Sequence, residues 1–167
     1  MTTVSDAPFG KPLDDVREET GAPSSTSTDA PSPPYTLAID IGGTGIKCLL
    51  LDSAGQPSGK RQRKETPNPA TPDAVLAVIR SLLPDTTFDR VSVGFPGVVK
   101  KGVIFAAPNL DASFVGFDLQ SALAKMTEKP VSVLNDAGLQ GLGVIEGHGT
   151  EIVVTLGTGM GFALYID

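Results

Sequence analysis

The sequence predicts an α/β fold in which three antiparallel strands in series are extended by parallel strands with crossover helices. Three observations point there. The first half of the folded part opens with short apolar runs separated by glycine-rich or polar turns, the pattern of successive hairpins. At Thr71 the apolar period changes from alternation to a spacing of three and four residues. From that point strand-like and helix-like segments alternate, which gives a mixed sheet with helices packed on it.

Taken in order, residues 1–34 are mostly Ser, Thr, Pro, Asp, Glu and Ala and have almost no branched apolar side chains. Such a segment cannot offset its ordering entropy and is expected to be a disordered tail. Residues 35–41 and 46–51 are apolar runs around a glycine-rich tip, and 56–66 reads as a third antiparallel strand after the polar turn at 52–55. Ala74, Val75, Val78, Ile79, Leu82 and Leu83 form one face of a helix that begins behind a Thr71 N-cap and closes at Pro84. Residues 91–95 form a buried strand running into Pro96-Gly97, and a small hairpin turns through Lys100, Lys101 and Gly102. Residues 117–126 read as a helix, 131–134 as a short buried strand, and 137–146 as a glycine-interrupted helix. A last hairpin, 152–156 with 162–166, surrounds a second glycine-rich tip. It repeats the opening hairpin, so the expected organisation is a tail at 1–34, one lobe at 35–150, and the start of a truncated second lobe at 151–167. A lobe without its partner would expose apolar surface, so association, including a homodimer, is expected.

Charge narrows the function classes. The chain carries a formal net charge of -6, and -4 of it lies in the tail, where Asp6, Asp14, Asp15, Glu18, Glu19 and Asp29 face only Lys11 and Arg17. The remainder is nearly neutral and has no basic reading helix, which argues against nucleic acid as a partner. No signal peptide and no run of about 20 apolar residues is present, so the expectation is a cytoplasmic protein without a membrane partner. Cys48 and His148 are single, which leaves no Cys/His cluster for structural zinc.

Three segments carry chemistry. In Asp40-Ile41-Gly42-Gly43-Thr44-Gly45-Ile46-Lys47 the glycines let backbone N–H groups converge on an anion, Thr44 adds a hydroxyl and Lys47 a positive charge. Asp40, at the end of the first strand, is placed to hold hydrated Mg²⁺. An ordinary tight turn is the plainer alternative, although two residues would suffice for that. The segment is not a Walker A loop, which needs Gly-Lys followed by Ser or Thr and then a helix. Gly157-Thr158-Gly159-Met160-Gly161 is a second glycine tip; a dinucleotide fingerprint there is disfavoured because a strand, not a helix, follows it. Asn135-Asp136 lies where a strand opens into a helix, so Asp136 is either a general base for a hydroxyl attacking phosphorus or an N-cap. Lys60, Arg61, Arg63 and Lys64 read first as a solvated edge that resists aggregation, and second as a track for a polyanion.

Together the three segments resemble those of the ROK sugar kinases, and within them the polyphosphate-type glucokinases. Residues 40–47 look like that family's first phosphate motif, Asn135-Asp136 like its catalytic pair, and residues 157–161 like its second phosphate motif. Gly94-Phe95-Pro96-Gly97 and Pro108-Asn109-Leu110 sit where the family has glucose-contacting loops. The resemblance implies a ribonuclease-H-like, actin-type lobe that transfers a phosphoryl group from polyphosphate or ATP to the 6-hydroxyl of glucose. Asp136 would be the base, with Asn109, Asn135 and Gly97 against the sugar. Gly42, Gly43, Thr44, Lys47, Gly157, Thr158 and Gly159 would bind phosphate, and Asp40 would position Mg²⁺. The glycine-rich 137–143 departs from the alanine-rich helix usual in the family. The alternative expectation is a catalytically incomplete remnant that binds sugar or phosphate.

Overall fold

The computed structural model describes residues 32–156 and 160–167. Its main element is a five-stranded sheet of order β3-β2-β1-β4-β7, built from β1 (Thr36–Ile41), β2 (Gly45–Leu51), β3 (Gln62–Glu65), β4 (Arg90–Phe95) and β7 (Val131–Asn135). The first three strands run antiparallel to one another, and β4 and β7 add in parallel. This is the mixed sheet that the sequence predicts. A small hairpin of β5 (Val98–Lys100) and β6 (Val103–Ala106) leaves the end of β4, and a second hairpin pairs β8 (Thr150–Leu156) with β9 (Met160–Ile166).

Strand alternation divides the sheet into two unlike faces. One face presents Leu37, Ile39, Ile41, Ile46, Cys48, Val91, Val93, Phe95 and Val133, all of them buried. It is sealed by α1 (Pro72–Arg80) and α2 (Leu119–Thr127), which add Val75, Ile79, Leu119 and Leu123. Phe95 packs against Phe114 with ring centroids 5.2 Å apart, and Phe114 meets Phe117 edge-on at 6.0 Å. Burial pushes the Cys48 thiol up to about 12. The helix starts follow local chemistry: Thr71 accepts from the Ala74 N–H ahead of Pro72, and Asp118 from that of Ser121.

Three elements are shorter than expected. The helix expected to close at Pro84 is α1, which ends at Arg80 with Ser81 as its C-cap. The strand predicted over 56–66 pairs only through β3, with one isolated bridge between Leu51 and Pro57. Pro57 has no N–H to donate, and Gly59 takes a left-handed φ of 133°, so the ladder is interrupted before Gln62. The helix predicted over 137–146 is α3 (Asp136–Leu142), and it ends at Gly143. Glycines within and after it lower helix propensity, and Gly147 and Gly149 adopt positive φ.

The last hairpin packs one face on α3. Tyr165 lies against Gly141, where a Cβ would come within 2.3 Å of its hydroxyl, and that hydroxyl donates to the Gly138 carbonyl. Gly141 thus makes room for an aromatic ring from β9. No helix among the described residues is long and apolar enough to cross a membrane.

Candidate active site

The second face of the sheet, opposite the core, carries the polar residues singled out in the sequence. Asp40 on β1 pairs in register with Lys47 on β2 and with Gly94 on β4, so all three share this face. Lys47 Nζ donates to Asp40 Oδ2 at 2.7 Å, and both side chains are partly exposed. The ammonium assigned to phosphate is therefore held by the carboxylate assigned to the metal.

The chain between β1 and β2 closes through Gly42 N–H to the Gly45 carbonyl at 3.0 Å. Thr66, just past β3, donates its hydroxyl to the Gly42 carbonyl at 2.5 Å and its N–H to that of Thr44 at 3.5 Å. Thr66 thus fixes the loop from outside, although nothing in its sequence surroundings marks it. Gly43 and Thr44 are exposed at the tip. Asn109 lies over Gly43, its Cβ 3.2 Å from the place a Cβ on that glycine would take.

Asn135 is the N-cap of α3, its Oδ1 accepting from the Gly138 N–H at 3.2 Å. The capping role is therefore met by Asn135, and Asp136 occupies the first helical position. Asn135 Nδ2 donates to the Gly97 carbonyl at 2.9 Å and to Asp136 Oδ1 at 3.1 Å, tying the turn after β4 to the helix start. Asp136 Oδ1 also accepts from the Ala137 N–H at 2.7 Å, whereas Oδ2 takes no hydrogen bond among the described residues. The carboxylate is held by one oxygen and can accept a proton at the other.

Gly94 sets the spacing between the two carboxylates. A Cβ there would lie 3.2 Å from Leu139 Cδ2, 3.8 Å from Asp136 Cα and 3.9 Å from Asp40 Oδ1. The bare backbone lets α3 settle on β4, bringing Asp136 to the same strand end as Asp40 and the 42–45 loop. Gly157, Thr158 and Gly159 lie outside the described residues, and β8 and β9 lead to and from them.

No group of three or more His, Cys, Asp or Glu among the described residues could cage a metal. Mg²⁺ at phosphoryl-transfer sites needs less, because one or two carboxylates suffice when donor phosphates and water complete the octahedron. Asp40, with Oδ2 on Lys47 and Oδ1 toward Gly94, fits that role.

The comparisons with known proteins agree with one another. The ROK family model matches residues 36–167. A polyphosphate glucokinase of Mycobacterium tuberculosis is 34% identical over 154 residues, covering 87% of this chain and 58% of that protein. The Mycobacterium leprae polyphosphate glucokinase is 36% identical over 166 residues, covering 83% and 51%. Among solved structures, the inorganic polyphosphate/ATP-glucomannokinase of Arthrobacter sp. strain KM superposes with a TM-score of 0.72 at 36% identity, over 81% of this chain and 59% of that one. A glucokinase of Streptomyces griseus, solved with glucose and AMPPNP, gives 0.65 at 29% identity over 79% and 44%. The chain thus spans between 44% and 59% of the length of these relatives.

Proposed function

This chain belongs to the ROK family, and from that premise we propose that it carries the base and the first phosphate loop of a sugar kinase acting on the 6-hydroxyl of glucose. The observation that carries the reading is the convergence at Gly94: Asp136, Asp40 and the 42–45 loop meet at one strand end, with Asn109 over the loop. The likeness to polyphosphate glucokinases and to a polyphosphate/ATP-glucomannokinase supports glucose as acceptor and polyphosphate or ATP as donor.

In this mechanism Asn109, Asn135 and the Gly97 loop hold the sugar so that its primary hydroxyl faces Asp136. The backbone N–H of Gly43, with the Thr44 hydroxyl, holds the donor's phosphates, while the Gly42 N–H keeps the loop closed on the Gly45 carbonyl. Asp136 Oδ2 takes the hydroxyl proton as that oxygen forms its bond to the terminal phosphorus. The bond between phosphorus and the donor's bridging oxygen breaks, and the shortened phosphate leaves with the electron pair. Asp40 would hold Mg²⁺, which when bound would supply charge neutralisation on the donor. Alignment and electrostatic clamping account for most of the acceleration. Lys47 holds the Asp40 carboxylate in place, and Thr66 holds the loop.

The test is a coupled assay for glucose 6-phosphate with Mg²⁺ and either ATP or polyphosphate. Turnover with one donor is the expected result and identifies that donor. A folded chain that binds glucose or tripolyphosphate and forms no product would leave the binding-only alternative.

A further inference from the structure

The 42–45 loop needs a positive charge beside it if it is to hold a polyanion, and Lys47 supplies little, because its ammonium is 2.7 Å from Asp40 Oδ2. The four basic residues before and within β3 look alike in the sequence, yet strand alternation separates the two in β3. Lys64 pairs in register with Ile46, on the core side, and its Nζ donates to Ser81 Oγ at 2.7 Å beside α1. Arg63 pairs with Lys47 instead, on the face that carries Asp40.

The Arg63 side chain also leans toward the loop. A Cβ on Gly45 would lie 2.8 Å from one terminal guanidinium nitrogen, 3.0 Å from Nε and 3.1 Å from Cζ. The guanidinium therefore covers the last residue of the loop, and Gly45 is buried although the tip beside it is exposed. Arg63 makes no ion pair among the described residues. Glu65, two residues on and on the same face, does not engage it.

We infer that Arg63 is a donor-binding residue, its guanidinium gripping the oligophosphate chain as it leaves the 42–45 loop, with Gly45 kept bare to seat it. This rests on the reading of that loop as the donor site and adds to it the residue that contacts phosphates beyond the transferred group. A planar guanidinium suits this role, since it offers two parallel N–H donors to phosphate oxygens.

The test is equilibrium binding of inorganic tripolyphosphate, followed by calorimetry in low salt. Arg63→Gln weakens binding by about tenfold, and Arg63→Lys, which keeps the charge but loses the fork, falls between it and the wild type. Gly45→Ala, whose methyl group pushes the guanidinium aside at a φ any residue adopts, reproduces most of the loss with Arg63 still present. Lys64→Gln, one residue away on the opposite face, binds as the wild type does. Equal binding by wild type and Arg63→Gln overturns the inference and leaves the donor reading standing. Equal losses in the Arg63 and Lys64 variants also overturn it, because bulk charge would then explain both. A folded wild-type protein that does not bind tripolyphosphate overturns the donor reading, and the inference with it.

Discussion

The five-stranded sheet and the last hairpin are built from similar residues and end up in opposite conditions. In β1, β2 and β4 the apolar side chains of one face are at most 6% exposed, because α1 and α2 cover them. In β8 and β9 the same alternation puts Ile152, Val154, Leu156, Met160, Phe162, Leu164 and Ile166 on one face, at 54–81% exposure. The opposite face, with Thr155, Gly161, Ala163 and Tyr165, is the one that packs toward α3. Alternation decides which side chains share a face, and a covering element decides whether burying them stabilises the fold. In the sheet the smaller polar residues are left for the solvent-facing side, where they form the site. In the hairpin the inner face holds Gly161, Ala163 and the ring of Tyr165 against α3, and the row of large apolar side chains is on the outside.

The sharpest way to break this comparison is to truncate one aromatic ring in each region. Phe95→Ala in the covered face should lower unfolding free energy by about 3–5 kcal/mol, measured by denaturant titration. Phe162→Ser in the exposed face should change it by less than about 0.5 kcal/mol while reducing concentration-dependent association in sedimentation. Similar losses at the two positions would mean that the hairpin face is covered in solution.

A second experiment separates the hairpin from the sheet. Gly141→Ala puts a methyl group against the Tyr165 ring and disrupts the hydroxyl's bond to the Gly138 carbonyl. Overpacking of this kind costs on the order of 1–3 kcal/mol. Amide exchange should quicken in β8 and β9 and stay slow in β1 and β4, whereas uniform acceleration would show the two regions to be one cooperative unit.

The smallest effect is expected at a helix start within the covered region. Hydrogen bonds from the Ser121 N–H and hydroxyl hold the Asp118 carboxyl below its ordinary 3.8. A depressed value means that the contribution is full above the ordinary pKa and is lost as pH falls through the folded one. Asp118→Ala should cost about 1 kcal/mol at neutral pH. Asp118→Asn, which keeps the cap, should flatten the acid limb of the stability profile below about pH 4.

Much of the architecture was legible in the sequence, because Ile, Val and Phe alternate in the strands and apolar residues recur at three and four in α1. The breaks were less so: the effect of Pro57 and Gly59 on the third strand depends on which N–H groups the ladder needs. At the site, the glycine loop and Asn135-Asp136 stood out by residue type. Thr66 did not, since a threonine after an edge strand looks the same whether or not it supports a loop. The contrast between Arg63 and Lys64 needed the register, which places two adjacent cations on opposite faces. Gly141, one of the glycines that make α3 depart from expectation by sequence, is accounted for by Tyr165 from a strand more than twenty residues away.

The most direct measurement is the rate of glucose 6-phosphate formation by Asp136→Asn beside the wild type, with glucose binding measured on both. Asparagine keeps an oxygen for the Ala137 N–H and loses the capacity to take a proton. The account predicts a fall in turnover of at least about 100-fold with glucose affinity nearly unchanged; turnover by the variant close to that of an active wild type would contradict it.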